Sequence, residues 1–134
     1  MREDIGEALT NSSMSAAERL RLLEMCRPRS AEELLGDLAR IDEHLGTLHR
    51  IAGSDPTIDL PLAERIADAL RQLVADRHRL TFEERRLLCG AISYFAMTAD
   101  GSDDVRDLTG LDDDARIVRS VCAALGRSDI ARTV

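Results

Sequence analysis

Residues Ser30 to Ala52 read SAEELLGDLARIDEHLGTLHRIA, and this stretch decides the fold class. Its large apolar residues include Leu34, Leu38, Ile41, Leu45 and Leu48, spaced 4, 3, 4 and 3. Recurrence every three to four residues stripes one side of an α-helix, and this alternation is a heptad seam. A half-buried strand would instead alternate with period two, and such β-branched alternation is nearly absent from the chain. Ser30 and Glu33 form a capping box, in which each side chain satisfies the other residue's spare backbone N–H. The stretch therefore predicts one helix running to about Ala52, weakened slightly by Gly36 and Gly46. The seam can be buried inside the chain or against a second copy. Leu34, Leu38, Ile41, Leu45 and Leu48 are accordingly the candidate interaction residues.

Outward from this helix, Ser13 or Ser15 opens an earlier helix that runs to about Cys26 and holds Leu20, Leu22 and Leu23. Pro28 stops it. Residues 1–12 are polar and weakly patterned, and read as a disordered arm or a loose first turn. On the other side, Gly53 to Pro61 (GSDPTIDLP) is a loop and a candidate hinge. A helix over about Leu62 to Arg77 turns Leu62, Ile66, Leu70, Leu73 and Val74 inward. Thr81 and Glu84 are a second capping box, opening a helix from Phe82 to about Thr98 that carries Leu87, Leu88, Ala91, Ile92 and Phe95. The last helix starts near Asp112, presents Ile117, Val118, Val121, Cys122 and Leu125, and stops at Gly126. Residues 127–134 read as a short tail. Leu88, Ile92 and Phe95 are expected to pack against Ile117, Val121 and Leu125. The fold class is all-α: a compact bundle of about five helices, in one domain spanning residues 1–134.

Composition agrees. The chain has 134 residues, 44% apolar and 32% charged, a globular balance long enough for a real core. Aromatic residues are 2%, so Phe82, Tyr94 and Phe95 leave the core to Leu, Ile, Val and Ala. The net charge of -7 argues against nucleic acid and against an anionic membrane surface as partners. All 18 basic residues are Arg, which rules out a Schiff-base or P-loop lysine. No run approaches the ~20 apolar residues of a membrane span. The absence of a signal peptide and of a CxxC pair among Cys26, Cys89 and Cys122 points to a cytoplasmic protein with reduced thiols.

The second informative stretch is Tyr94 to Asp114, YFAMTADGSDDVRDLTGLDDD. Carboxylates this dense between two apolar helices have two readings. They can cap helices and turns by accepting backbone N–H bonds, with Asp112, Asp113 and Asp114 meeting the positive end of a helix dipole. Alternatively, Asp100, Asp104, Asp113 and Asp114 can converge on a divalent cation such as Mg²⁺, Mn²⁺ or Ca²⁺, because hard cations take several oxygen ligands. The spacing is not that of an EF-hand. His44, His49 and His78 show no ligand pairing and read as surface residues. Arg85 and Arg86 are candidate partners for the acidic loop, with a solvated helix face as the plainer account. Nucleophile-elbow, phosphate-loop and HExxH motifs are absent.

Tyr94, Asp100, Asp104, Gly110, Asp113 and Asp114, followed by the apolar helix ARIVRSVCAAL, resemble the YkvA-like bacterial domain over residues 80–125. That family's pattern is a Tyr, an Asp six residues on, another Asp four later, a Gly and a closing Asp-Asp. Thr98 and Asp103 stand where the family usually has prolines, so the resemblance is to a divergent member. Gly101 and Ser102 replace the apolar residues that give many members a membrane-associated character. MTADG is also similar to the acidic turn of the TerB-like tellurite-resistance domain. The YkvA resemblance implies no assigned biochemical role.

The leading functional expectation is a non-enzymatic helical interaction module whose partner is another protein or a second copy. The alternatives are a divalent-metal-binding protein or metal-dependent enzyme using the acidic loop, and a structural subunit of a larger assembly.

Overall fold

The computed structural model describes residues 14–97 and 110–134. Every regular element among them is helical, as the sequence predicts. The order is α1 (Ala16–Met25), α2 (Ala31–Gly36), α3 (Leu38–Ala52), α4 (Leu60–Ala75), a 3-10 turn (Arg77–Arg79), α5 (Phe82–Met97), α6 (Gly110–Ala124) and α7 (Ser128–Ala131). The arm expected over residues 1–12 and the acidic loop lie outside the described residues.

The helix starts follow the capping chemistry. Ser30 Oγ accepts from Glu33 N at 3.1 Å while Glu33 Oε1 accepts from Ser30 N at 2.8 Å. Thr81 and Glu84 exchange the same pair at 3.1 and 2.9 Å. Ser15 and Glu18 form a third such box at the start of α1. At the end of α6, Gly126 takes φ 78°, a left-handed conformation that needs no Cβ. Its N–H donates to Ala123 O at 3.0 Å and Arg127 N donates to Cys122 O at 2.7 Å, the paired bonds of a Schellman stop.

The structure revises the sequence reading at three boundaries. The helix predicted from Ser30 to Ala52 is interrupted at Asp37, dividing α2 from α3. Gly36 weakens the ladder there. The Asp37 carboxylate is buried in the fork of Arg29, with Nη2–Oδ1 at 2.6 Å and Nε–Oδ2 at 3.2 Å. The helix predicted from Leu62 begins two residues earlier, with Asp59 Oδ1 accepting from Leu62 N at 3.1 Å. Pro61 sits in its first turn, where a missing N–H costs nothing. Residues 127–134 are not a bare tail. They form α7, whose Ile130 is buried in the core, and Arg119 Nη1 donates to Val134 O at 3.3 Å.

Helix α4 is the most deeply set: Leu62, Ala63, Ile66, Ala67, Ala69, Leu70, Leu73 and Val74 are all buried. It packs against α3, α5 and α6. Leu88, Ile92 and Phe95 of α5 are fully buried, as are Ile117 and Val121 of α6, while Leu125 is partly buried against the same core. Each fully buried Leu, Ile or Phe contributes about 1.5–3 kcal/mol of transfer free energy. Helix α1 lies along α5, and the approach is close because Gly90 has no side chain. A Cβ there would stand 2.7 Å from Cys26 Sγ and 3.1 Å from Leu22 O.

Candidate functional site

The site grows from one end of the α1–α5–α6 packing. Glu18 lies in the first turn of α1, where its Oε1 accepts from Ser15 N at 3.0 Å. Its Oε2 accepts from Arg116 Nη2 of α6 at 2.6 Å. The same guanidinium nitrogen reaches Asp113, three residues back on α6. Arg116 thus ties α1 to α6 and serves two carboxylates at once. Its hydrogen bond is the main reason that the Glu18 carboxyl is held down to about 2.

Asp114 has a different environment. Its residue surface is 0% exposed, and neither carboxylate oxygen has a hydrogen-bond partner among the described residues. Burial, then the charge of Asp113, raises its carboxyl well above the usual carboxylate range. The local sequence explains the burial. Asp114 stands three, four and seven residues before Ile117, Val118 and Val121, so it shares the inward stripe of α6. Tyr94 of α5 is half-buried nearby. Burial raises its phenol, and the charges of Asp114, Asp113 and Glu18 add to the rise, against Arg21.

Of the four predicted cation ligands, Asp113 and Asp114 are placed at this pole; Asp100 and Asp104 lie outside the described residues. Among the described residues, no group of three or more His, Cys, Asp or Glu side chains is set to hold a metal ion. Nor does Asp114 act as a cap, since its oxygens accept no backbone N–H. Glu18 enters the site without having been singled out. Its signal was the Ser15–Glu18 capping box, although nothing in the sequence shows that α1 meets α6.

The candidate interaction seam lies mostly within the chain. Leu34 and Ile41 are fully buried, and Leu38, Leu45 and Leu48 are partly buried against the same core. His44 is not a surface residue: it is buried, with its ring edge-on to Phe95 at 4.6 Å and 85°. His49 pairs with Glu64 at 3.1 Å. Arg85 and Arg86 sit at the opposite end of α5 from the acidic pole. Arg85 donates to the carbonyls of Arg29 and Leu80 at 2.9 and 3.0 Å, and Arg86 pairs with Glu83 at 2.7 Å. Burial pushes the Cys26 thiol up to about 11 and the Cys122 thiol up to about 12, which leaves little thiolate at neutral pH.

No family model, curated protein or solved structure matches this chain. Among the described residues, no helix is long and apolar enough to cross a membrane.

Proposed function

We propose that this chain is a non-enzymatic helical interaction module, cytoplasmic and acidic, that docks another protein through apolar side chains left on its surface. The observation that carries this reading is the exposure of Leu20 (60%), Leu35 (46%) and Phe82 (50%). Leu20 and Leu35 lie on α1 and α2, both packed against α5, and Phe82 opens α5. Large apolar side chains clear of the core, in a chain with three aromatics in all, are the groups that anchor protein interfaces. The seam on α2 and α3 supports the bundle that presents them. Two supports speak for binding over covalent catalysis. The raised Cys26 and Cys122 thiols are poor nucleophiles, and the buried Asp37 carboxylate is held in a structural ion pair. The YkvA-like pattern over residues 80–125 is part of the same proposal and adds no reaction to it.

Site-specific photo-crosslinking tests the reading. A photoreactive residue at position 20, 35 or 82 should give a discrete adduct with another protein or a second copy. The same residue at the exposed position 50 should not. Adducts should disappear when the other two apolar positions are changed to Ser. If positions 20, 35 and 82 all behave like position 50, the interaction reading fails.

A further inference from the structure

Helix α6 carries a carboxylic acid where its packing calls for an apolar side chain. Asp114 stands on the stripe continued by Ile117, Val118 and Val121, fully buried, with neither oxygen hydrogen-bonded among the described residues. An unpaired buried carboxyl is tolerated in its neutral form and strongly disfavoured once charged. The groups around it offer no counter-charge. On α6 itself, Asp113 adds a like charge, and Arg116 is committed to Glu18 and Asp113. From α1, Glu18 is a further anion and Arg21 is exposed. From α5, the facing group is the phenol of Tyr94. From α4 and α7, the other helices packed on α6, no charge among the described residues acts on Asp114.

We infer that Asp114 is a proton-operated latch: its acid form seats the first turns of α6 on α1 and α5, and loss of the proton releases that end of the helix while the rest of the bundle stays folded. The release is local because Asp114 is the fifth residue of α6, and a helix end opens at lower cost than the middle of a core. Further along α6, Ile117, Val118 and Val121 carry no charge and hold the helix to the core at any pH. An ionised Asp114 would also join Glu18 and Asp113 in competing for one guanidinium, which the buried neutral acid does not. Burial, then Asp113, raises the carboxyl well above its usual range and so moves the release toward neutral pH. The inference does not rest on the docking reading.

Tyr94 is the natural probe. It is the chain's one tyrosine and there is no tryptophan, so its emission reports this pole alone. Acrylamide quenching of that emission is followed beside far-UV circular dichroism in the full chain from pH 4 to pH 8.5, below the ionisation of a phenol. Wild type should show a one-proton rise in quenching, at least twofold, with its helical signal retained. Asp114→Asn replaces the neutral acid by an amide of the same shape and should stay weakly quenched throughout. Asp113→Asn removes a like charge and frees Arg116, so its rise should come at lower pH than in wild type. A wild type with no rise in this range overturns the latch. So does an Asp114→Asn variant that rises as wild type does, or a rise that coincides with loss of the helical signal. Should Asp114→Asn fail to fold, Asp113→Asn decides: a midpoint unchanged from wild type refutes the inference.

Discussion

Gly90 and Gly46 offer the same substitution in two environments, and the structure assigns them opposite signs. Both lie inside helices. Gly→Ala in a helix interior gains about 1 kcal/mol from backbone entropy and propensity when nothing else changes. At Gly46 nothing lies within 4 Å of the added Cβ, so Gly46→Ala should gain close to that full amount. At Gly90 the new carbon meets Cys26 Sγ at 2.7 Å, Leu22 O at 3.1 Å and Leu22 Cδ1 at 3.2 Å. Two of these neighbours are hard to move. Leu22 O is helix backbone, and Cys26 Sγ is buried and directed at that same carbonyl at 3.4 Å. Overpacking of this kind costs about 1–3 kcal/mol, which exceeds the propensity gain. Gly90→Ala should therefore lose about 1 kcal/mol net, as α1 is pushed off α5. Cys26→Ala removes the closest contact, so the double variant should be more stable than the two single changes predict when added. Urea melts of the four proteins measure all of this, with m checked for constancy. If Gly90→Ala gains as much as Gly46→Ala, α1 does not approach α5 at this point and the α1–α5 packing described above is wrong.

Other outcomes follow from the same structure. Phe95→Ala should cost about 3–5 kcal/mol, since the ring is fully buried; a loss below about 1 kcal/mol in urea melts would show the α5 face to be misassigned. Ile41→Asp should abolish the helical circular-dichroism signal, not merely dissociate a dimer, because Ile41 is in the chain's own core. Glu18 titrates at about 2 when folded against 4.5 unfolded, so its contribution is present above about pH 4.5 and is lost as pH falls through 2. Glu18→Gln should erase the part of the acid-stability slope that lies in that window, and an unchanged slope would deny the Arg116 contact. Asp114 has the opposite sign. Its raised carboxyl favours folding below about pH 3.8 and progressively less as pH rises toward its folded value. Asp114→Asn should therefore match wild type in acid and exceed it at pH 7 in thermal melts; equal midpoints at both pH values would place Asp114 in water.

The fold was legible because each signal was local. Heptad spacing marked Leu34 and Ile41 as buried without saying whether in the chain's own core or against a second copy, and the Ser30–Glu33 and Thr81–Glu84 boxes placed two helix starts to the residue. The break at Asp37 was not legible, because it depends on Arg29 reaching across eight residues to pull a carboxylate inward. Helix α7 was missed for want of periodicity: its four residues bury one side chain, Ile130. The candidate site was half legible. The closing Asp-Asp pair announced it, and the stripe of Ile117, Val118 and Val121 carried backward points to Asp114 as the inward member. Glu18 could not be found, since it comes from 98 residues away in the chain and meets Arg116 only when three helices have packed.

The bundle's long-range polar ties share a feature with a consequence for chemical control. Arg116 joins Glu18 to Asp113, Arg71 joins Asp42 to Asp68, Arg127 joins Asp76 to Asp129, and Arg85 bridges two carbonyls 51 residues apart in sequence. Each uses the several donors of one planar guanidinium, which a single ammonium could not match in direction. With no lysine in the chain, acetylation and ubiquitin attachment at side-chain amines have no target here. Modification of its cations is left to arginine chemistry, such as methylation, citrullination or ADP-ribosylation. Any one such event would loosen two anchor points together, so a small change in occupancy would register as the release of a helix end.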